Sequence, residues 1–165
     1  GFESWIATNT SRGTNGANAA NATSAPTDGT QRVFTEALLT TVLESCFGAG
    51  ANVSQIIVGA FNKIKLSAFT GRSSARQNVS ADRIQQSVSV YASDFGELAV
   101  MPNNFSRSRS ALLIDPDYMQ LAVYRDYQQV PISAIGDAET RMILVEFGLQ
   151  ITESANAVIA DLTTS

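Results

Sequence analysis

Apolar residues recur every three or four positions between Phe34 and Gly50, a spacing that places them on one side of a helix. Thr35 is positioned to cap the N-terminus of this helix, and Phe34 and Leu39 occupy the positions of a hydrophobic staple. Gly48 and Gly50 follow the last apolar residue and are typical of a helix end. The pattern therefore predicts a helix from Thr35 to Phe47. Its apolar stripe consists of Leu38, Leu39, Val42, Leu43, Cys46 and Phe47.

A short strand and a second helix are predicted next. Residues 55–59, QIIVG, are typical of a fully buried strand, and residues 60–69, AFNKIKLSAF, place apolar residues at helical spacing. The GAGAN run at 48–52 invites comparison with a phosphate-binding loop. In such a loop, however, the glycines follow a strand and open a helix with a Lys-Ser/Thr pair, whereas these follow a helix and open a strand. We interpret the run as a helix C-cap, within a helix, turn, strand, helix unit.

The second half of the chain has the alternation of β-structure. Residues 88–125 hold short apolar runs between the turns SDFG, PNN and DPDY, which predicts a β-meander of three or four strands. Residues 127–140 are predicted to be a connection, and residues 157–162 a last short strand. The longest strand is predicted at 141–153, with one face in a core and the other half-exposed or at an interface. Its apolar face consists of Ile143, Val145, Phe147, Leu149 and Ile151.

Two stretches have no periodicity. Residues 1–31 begin with Phe2 and Trp5 and continue as a small, polar, Gly/Asn-rich run that is too poor in apolar groups to offset the entropy of ordering it. We interpret this segment as a flexible arm or loop. The two aromatic residues either dock on a partner or complete the core of the chain itself. Residues 70–82 are predicted to be a solvated loop, with contacts to neighbouring subunits as the functional alternative.

The composition excludes the commonest kinds of catalytic and metal-binding chemistry. The 165 residues include no histidine and one cysteine, which excludes Ser-His-Asp and Cys-His catalysis, the usual zinc sites and an internal disulfide. Cys46 lies on an apolar helix face and is interpreted as a core residue. The turn aspartates Asp94, Asp115 and Asp117 are interpreted as structural, because calcium requires six to eight oxygens and turn chemistry explains them sufficiently. We predict no catalytic, cofactor-binding or metal site.

Charge and hydropathy limit the partners. With 11 basic and 15 acidic residues the net charge is −4, which argues against broad binding to a phosphate backbone. No apolar run reaches the roughly 18 residues of a transmembrane helix. The middle of the chain is nevertheless basic and could meet acidic partners or phosphates. The arginines concerned are Arg72, Arg76, Arg83, Arg107 and Arg109.

Several strings, in order, resemble one family. GFESWIATNT, then the run from FTEALLTTVLESC to LSAFTG, and then SDFGELAVMPNNF, IDPDYMQLAVYR and GDAETRMILVEFGLQITESANAVIADLT are similar to the C-terminal half of tailed-bacteriophage and prophage major capsid proteins. The similarity covers nearly all of residues 34–164 and the first ten residues. The Asn/Ala-rich run between them matches nothing.

The resemblance implies an α+β fold of the Hong Kong phage-capsid type, a mixed β-sheet with a few helices. It divides the chain into a flexible arm, 1–31, and a capsid-like domain, 32–165, with the axial domain at roughly 48–137 and peripheral parts at roughly 32–47 and 138–156. It also implies that the chain is a fragment without the family's N-terminal arm and extended loop. Some proteins of this fold crosslink a lysine to an asparagine, but nothing supports that activity for Lys63 or Lys65.

The function implied is that of a structural virion protein, which assembles into an icosahedral shell around phage DNA without catalysing a reaction. Its partners would be copies of itself in pentamers and hexamers, with scaffolding or decoration proteins as further candidates, and no cofactor, membrane or specific DNA site. Its location would be the virion, after assembly in the cytoplasm of the host bacterium. The alternative is a β-rich tail or carbohydrate-binding module for host attachment, which would lack the α/β unit at 34–69 and would cluster exposed aromatic residues. An enzyme is a more distant alternative.

Overall fold

Eight strands and two α-helices make up the part of the chain that the computed structural model describes, residues 1–69 and 89–164. The helices are α1, Glu36–Gly48, and α2, Ala60–Ser67. The strands are β1 Asn9–Ser11, β2 Gln55–Val58, β3 Val90–Ser93, β4 Gly96–Pro102, β5 Ala111–Ile114, β6 Met119–Ile135, β7 Ala138–Ile151 and β8 Ala157–Ile159. This mixture of helices and a mixed sheet confirms the predicted α+β class.

The helices lie where the sequence places them. The hydroxyl of Thr35 accepts a hydrogen bond from the backbone N–H of Leu38 at 3.4 Å, which satisfies one of the free donors at the start of α1. Phe34, Leu39 and Cys46 are buried. Phe47, predicted on the same stripe, is 62% exposed, and its ring lies 5.3 Å from that of Phe95.

Six strands form one mixed sheet in the order β1-β8-β5-β2-β4-β3. β2 is parallel to β4 and antiparallel to β5, so the strand predicted at 55–59 lies between two strands of the predicted meander. The meander is therefore wrong as a topology, although its strands β3, β4 and β5 exist. Hydrophobic alternation gives the faces of a strand, but the order of strands depends on non-local pairing.

The two helices cover one face of this sheet. Ile56 and Val58 of β2 and Leu113 of β5 point toward the helices and are completely buried. α1 contacts β1 and β8, and α2 contacts β4. The main hydrophobic core thus lies between the helices and this face, as expected for a two-layer arrangement.

The N-terminal segment covers part of the opposite face. Phe2 packs with Ile6 against Val158 and Ala160, so Phe2 completes the core of its own chain, whereas Trp5 is 41% exposed. Residues 9–11, predicted to be loop, instead form β1 and pair in parallel with β8. The polar residues Asn9–Ser11 thus supply a sheet edge.

A buried carboxylate holds the polar part of the same segment. Asp161 accepts backbone N–H bonds from Gly13 at 3.0 Å and from Gly29 at 2.8 Å, and Arg109 donates to it at 3.3 Å. Asp161 is 2% exposed and has a φ of +59°. We call Asp161, Gly13, Gly29 and Arg109 the Asp161 cluster; it attaches the segment to the end of the chain. The division at residue 31 stays a prediction.

β6 and β7 form a separate two-stranded antiparallel ribbon. The predicted connection at 127–140 is wrong, because residues 119–135 form one strand and Gly136 and Asp137 form a two-residue turn. Gly136 has a φ of +80°, the left-handed conformation that such hairpin turns require. Within the described residues no helix combines the length and apolar character needed to cross a membrane.

Candidate intersubunit surfaces

The β6–β7 ribbon extends away from the sheet. With 14 residues in β7 and a rise of about 3.3 Å per residue, it is about 45 Å long. A compact chain of this size has a radius of gyration of only about 15 Å. At its root the backbone N–H of Thr152 bonds to the carbonyl of Tyr118 at 3.0 Å, which continues the pairing of β6 with β7 by one further bond. Most of the ribbon therefore lies outside the body of its own subunit.

The predicted apolar face of the long strand lies on this ribbon and is not in a core. Ile143 is 71% and Phe147 60% exposed, and the three other residues of that face are only half-buried. The prediction of a buried face is therefore wrong for the single chain. The physical reason is that β6 is the sole hydrogen-bonded neighbour of β7, and no second layer packs on the ribbon among the described residues.

Two apolar patches lie on opposite local faces of the ribbon. Strict alternation along β7 places Phe147 and Leu149 on one face and Met142 and Leu144 on the other. The register adds Leu121 and Val123 of β6 to the first pair, and Val130 and Ile132 to the second. The root patch is thus Leu121, Val123, Phe147 and Leu149, and the tip patch is Val130, Ile132, Met142 and Leu144.

Polar pairs bound these patches. The Arg125 guanidinium lies 3.4 Å from the Glu146 carboxylate between the two patches, and Gln120 donates to Gln150 at 2.7 Å behind the root patch. The residues of the ion pair are each at least 42% exposed, and such surface pairs contribute about 0–1 kcal/mol. They give the ribbon little stability of its own.

An isolated two-stranded ribbon is marginally stable in water. This one also has two free strand edges and exposed apolar side chains on both faces, features that soluble monomers avoid. Covering by another molecule would bury the apolar groups and add a further layer. The ribbon therefore has the properties of a surface that packs against further structure.

A second apolar surface lies on the sheet face opposite the helices. The register places Met101, Ile57 and Leu112 side by side across β4, β2 and β5. The N-terminal segment leaves a groove of about 820 Å³ here, with Phe2, Pro26 and Ile114 in its walls. Phe105 at its border is 99% exposed. Met119, the first residue of β6, also lines it and connects it to the root of the ribbon.

Charged groups beside the groove are paired within the chain. The Glu3 carboxylate accepts hydrogen bonds from the Arg12 guanidinium at 2.9 Å and from the Ser110 hydroxyl at 3.0 Å. The Arg107 guanidinium bonds to Asp28 and holds the pKa of that carboxyl below its usual range. Arg107 and Arg109, expected to be available for acidic partners or phosphates, thus contact the chain's own carboxylates. The predictions for Arg72, Arg76, Arg83 and the loop 70–82 lie outside the described residues.

The other residues considered for chemistry have local structural contacts. Asp115 accepts the backbone N–H of Asp117 at 3.2 Å, as expected for turn chemistry. Cys46 is 1% exposed, and burial raises the pKa of its thiol to about 11. The described residues contain no group of three or more acidic, cysteine or histidine side chains that could hold a metal ion. The prediction that Asp94, Asp115 and Asp117 are structural stays a prediction.

The ribbon was missed from the sequence although a signal for it was present. Gly136 and Asp137 between two runs of strand-forming residues are a two-residue hairpin signal. Pro131 obscured it, since proline is unusual within a strand. In this ribbon Pro131 is tolerated, because β6 has a free edge on which no backbone N–H is required.

The groove on the sheet face and the long, largely exposed apolar ribbon are features of a protein that packs against other surfaces. The chain belongs to the SU10 major capsid protein family, whose model matches residues 1–163. It is therefore a phage major capsid protein, a structural subunit of the virion shell. Comparison with curated proteins gave no significant match.

The family match confirms the sequence-based function. It gives no support to the alternative of a tail or carbohydrate-binding module, and the α/β unit that this alternative would lack is present as α1, β2 and α2. The role of the family is structural. The Hong Kong type of fold, inferred from resemblance, stays a prediction.

Proposed function

We propose that this subunit forms the pentamers and hexamers of an icosahedral shell, and that the β6–β7 ribbon of each copy is covered by its neighbours. The observation that carries the proposal is the exposure of the ribbon, with Ile143 71% and Phe147 60% exposed in the single chain. Rotational symmetry would repeat the same contact around each ring.

We assign a role to each segment of the chain according to the predicted domains. Residues 1–31 serve as the arm segment, residues 48–137 approximate the axial domain, and residues 32–47 and 138–156 belong to the peripheral domain. The first of these contains β1 and the two backbone donors of the Asp161 cluster, Gly13 and Gly29, which supports a role in bracing the body. Scaffolding or decoration proteins would be additional partners.

The shell would enclose DNA without a specific binding site and without catalysing a reaction. The net charge of −4 disfavours binding to DNA phosphates, and Arg107 and Arg109 are already paired with Asp28 within the chain. Both observations support a weak interaction between the shell and the DNA. Assembly would take place in the cytoplasm of the host bacterium, and the mature protein would reside in the virion.

The test is assembly of the complete gene product, expressed alone or with its scaffolding protein, followed by negative-stain electron microscopy. Shell-like particles are expected. A small monodisperse oligomer under all conditions would contradict the proposal.

Two neighbouring substitutions make the test specific for the ribbon. Leu121→Asp places a charge in the root patch, whereas Gln120→Asp places the same charge on the opposite face. Leu121 is 58% exposed, so its replacement should change the stability of the subunit by no more than about 0.5 kcal/mol. In a covered contact the same carboxylate would be unpaired and desolvated, at a cost of several kcal/mol. Particles should therefore form with Gln120→Asp and not with Leu121→Asp; equal yields would exclude the root patch.

A further inference from the structure

We propose that residues 1–31 open as a unit of their own, separately from the body of the subunit, and that a network of six alternating charges keeps them closed. By the body we mean α1, α2 and the sheet strands other than β1. Opening would uncover the apolar sheet face beneath the segment and remove one wall of the groove. The inference goes beyond the proposed function and does not rest on it, because all the contacts concerned lie within one chain.

The first step is the network of ion pairs that joins the segment to the body. Arg107 contacts both Glu3 and Asp28, which are the two acidic residues of the segment. Arg109 lies 3.2 Å from Asp28 and 3.3 Å from Asp161. Each acidic residue of the segment thus lies between two arginines, and four of the five ion pairs involve one of the two. The order of the network is Arg12, Glu3, Arg107, Asp28, Arg109 and Asp161.

The second step is the small contribution of apolar contacts to holding the segment. Among residues 1–31, all of which the structure describes, Ile6 is the one apolar side chain that is buried, and Phe2 packs beside it. Burial of one or two side chains is small beside the conformational entropy of ordering the whole segment. The segment is therefore held mainly by the ion pairs, by the Asp161 cluster and by the pairing of β1 with β8.

The third step is that opening would leave the main core of the body intact. The buried residues Leu39 and Leu113 of that core lie on the helix side of the sheet. Ile6 packs on the opposite face, against Val158 and Ala160. β1 is the last strand at one edge of the sheet, so its departure breaks its own pairing with β8 and no pairing between other strands. Regions that open locally are those with few buried apolar contacts, and the segment meets that condition.

Hydrogen exchange measured by mass spectrometry on the complete gene product tests this opening at neutral pH. Glu3→Gln and Asp28→Asn together replace the two carboxylates by uncharged amides of nearly the same size. Because four ion pairs lose their negative partner, exchange of residues 9–31 should become at least about tenfold faster, whereas α1 should keep its protection. The matched control Glu139→Gln removes a carboxylate that pairs with Arg141 on the ribbon, and it should leave both regions unchanged.

Salt distinguishes ion pairs from other means of attachment. The side chains of Arg107 and Asp28 are 39% and 40% exposed, so dissolved ions can screen their interaction. The Debye length falls from about 10 Å at about 0.1 M to about 3 Å at about 1 M ionic strength. Exchange of residues 9–31 in the wild-type protein should therefore quicken with sodium chloride over this range, while α1 does not respond. The double variant should respond less, because its network lacks two carboxylates.

Faster exchange of the segment with unchanged protection of α1 would support the inference. An equal loss of protection in the segment and in α1 would show that the segment opens only when the whole subunit unfolds, and would overturn it. Unchanged exchange in the double variant, or equal salt responses of the variant and the wild type, would overturn the role of the charges. The wild-type salt series decides whether the segment opens separately even when the variant does not fold.

Discussion

Replacement of Asp161 tests how the N-terminal segment is attached to the body. The carboxylate is 2% exposed, and it accepts the backbone N–H groups of Gly13 and Gly29 from a segment that lies more than 130 residues earlier in the chain. Asp161→Gly removes both acceptors and tolerates the φ of +59°. Asp161→Ala removes the same acceptors and adds a methyl group at this left-handed position. Asp161→Asn keeps one acceptor oxygen and the backbone preference.

The structure gives an order of effects. A partly buried N–H that loses its acceptor costs about 1–2 kcal/mol, so Asp161→Gly should lower the free energy of unfolding by about 2–4 kcal/mol. Asp161→Ala should lower it by about 1 kcal/mol more, because of the left-handed backbone. Asp161→Asn should cost about 1–2 kcal/mol, since its amide group turns a donor toward one of the two N–H groups.

Urea unfolding followed by circular dichroism measures these differences, and amide hydrogen exchange locates them. Protection of residues 9–32 should fall in all three variants, whereas α1 should keep its protection until global unfolding. A stability of Asp161→Ala within 0.5 kcal/mol of wild type, or equal stabilities of Asp161→Gly and Asp161→Ala, would contradict this role of the carboxylate.

Three further substitutions test other contacts. Gly29→Ala should destabilise by at least about 2 kcal/mol in urea unfolding, because its Cβ would lie 2.7 Å from a backbone nitrogen; Gly48→Ala, with open space around its Cβ, should be neutral or stabilising. Tyr91→Phe should cost about 1–2 kcal/mol in the same assay, since the hydroxyl donates to Glu36 at 2.7 Å, and an unchanged midpoint would exclude that bond. Burial raises the pKa of Cys46 to about 11 from an ordinary value of 9.0, so the unfolded chain releases a proton that the folded chain keeps as the pH rises between these values. Stability should therefore fall by about 2 kcal/mol more in wild type than in Cys46→Ala between pH 8 and 10.5, as followed by urea midpoints.

Local signals predicted the helical part of the fold well. The N-cap at Thr35, the apolar spacing through Cys46 and the glycines after it gave α1 nearly to the residue, and the short run at 55–58 gave β2. These signals work because capping and periodicity depend on residues within a few positions of one another. The order of strands could not be found in this way, because β2 pairs with two strands more than 40 residues further along the chain.

The Asp161 cluster was not predictable for a similar reason. Gly13 and Gly29 look like ordinary components of a polar, small-residue run, and nothing near them in sequence indicates that their backbone N–H groups bond to Asp161. Both glycines lie against the side chain of Asp161, which follows the last strand, β8. A segment poor in apolar residues can thus be ordered by a few buried hydrogen bonds, which composition alone does not reveal.

The candidate surface was predicted in part, and the error is informative. Alternation from Ile143 to Ile151 predicted a face that is buried, and the single chain leaves that face largely exposed. A strand that needs only to remain soluble has no physical reason to carry five apolar residues on one face, because exposed apolar groups favour association. In a subunit of a shell, neighbouring subunits are among the surfaces that can bury such an apolar face. The apolar face of β7 therefore indicates that this face is covered in the functional protein, and the proposed shell contacts would supply such a cover.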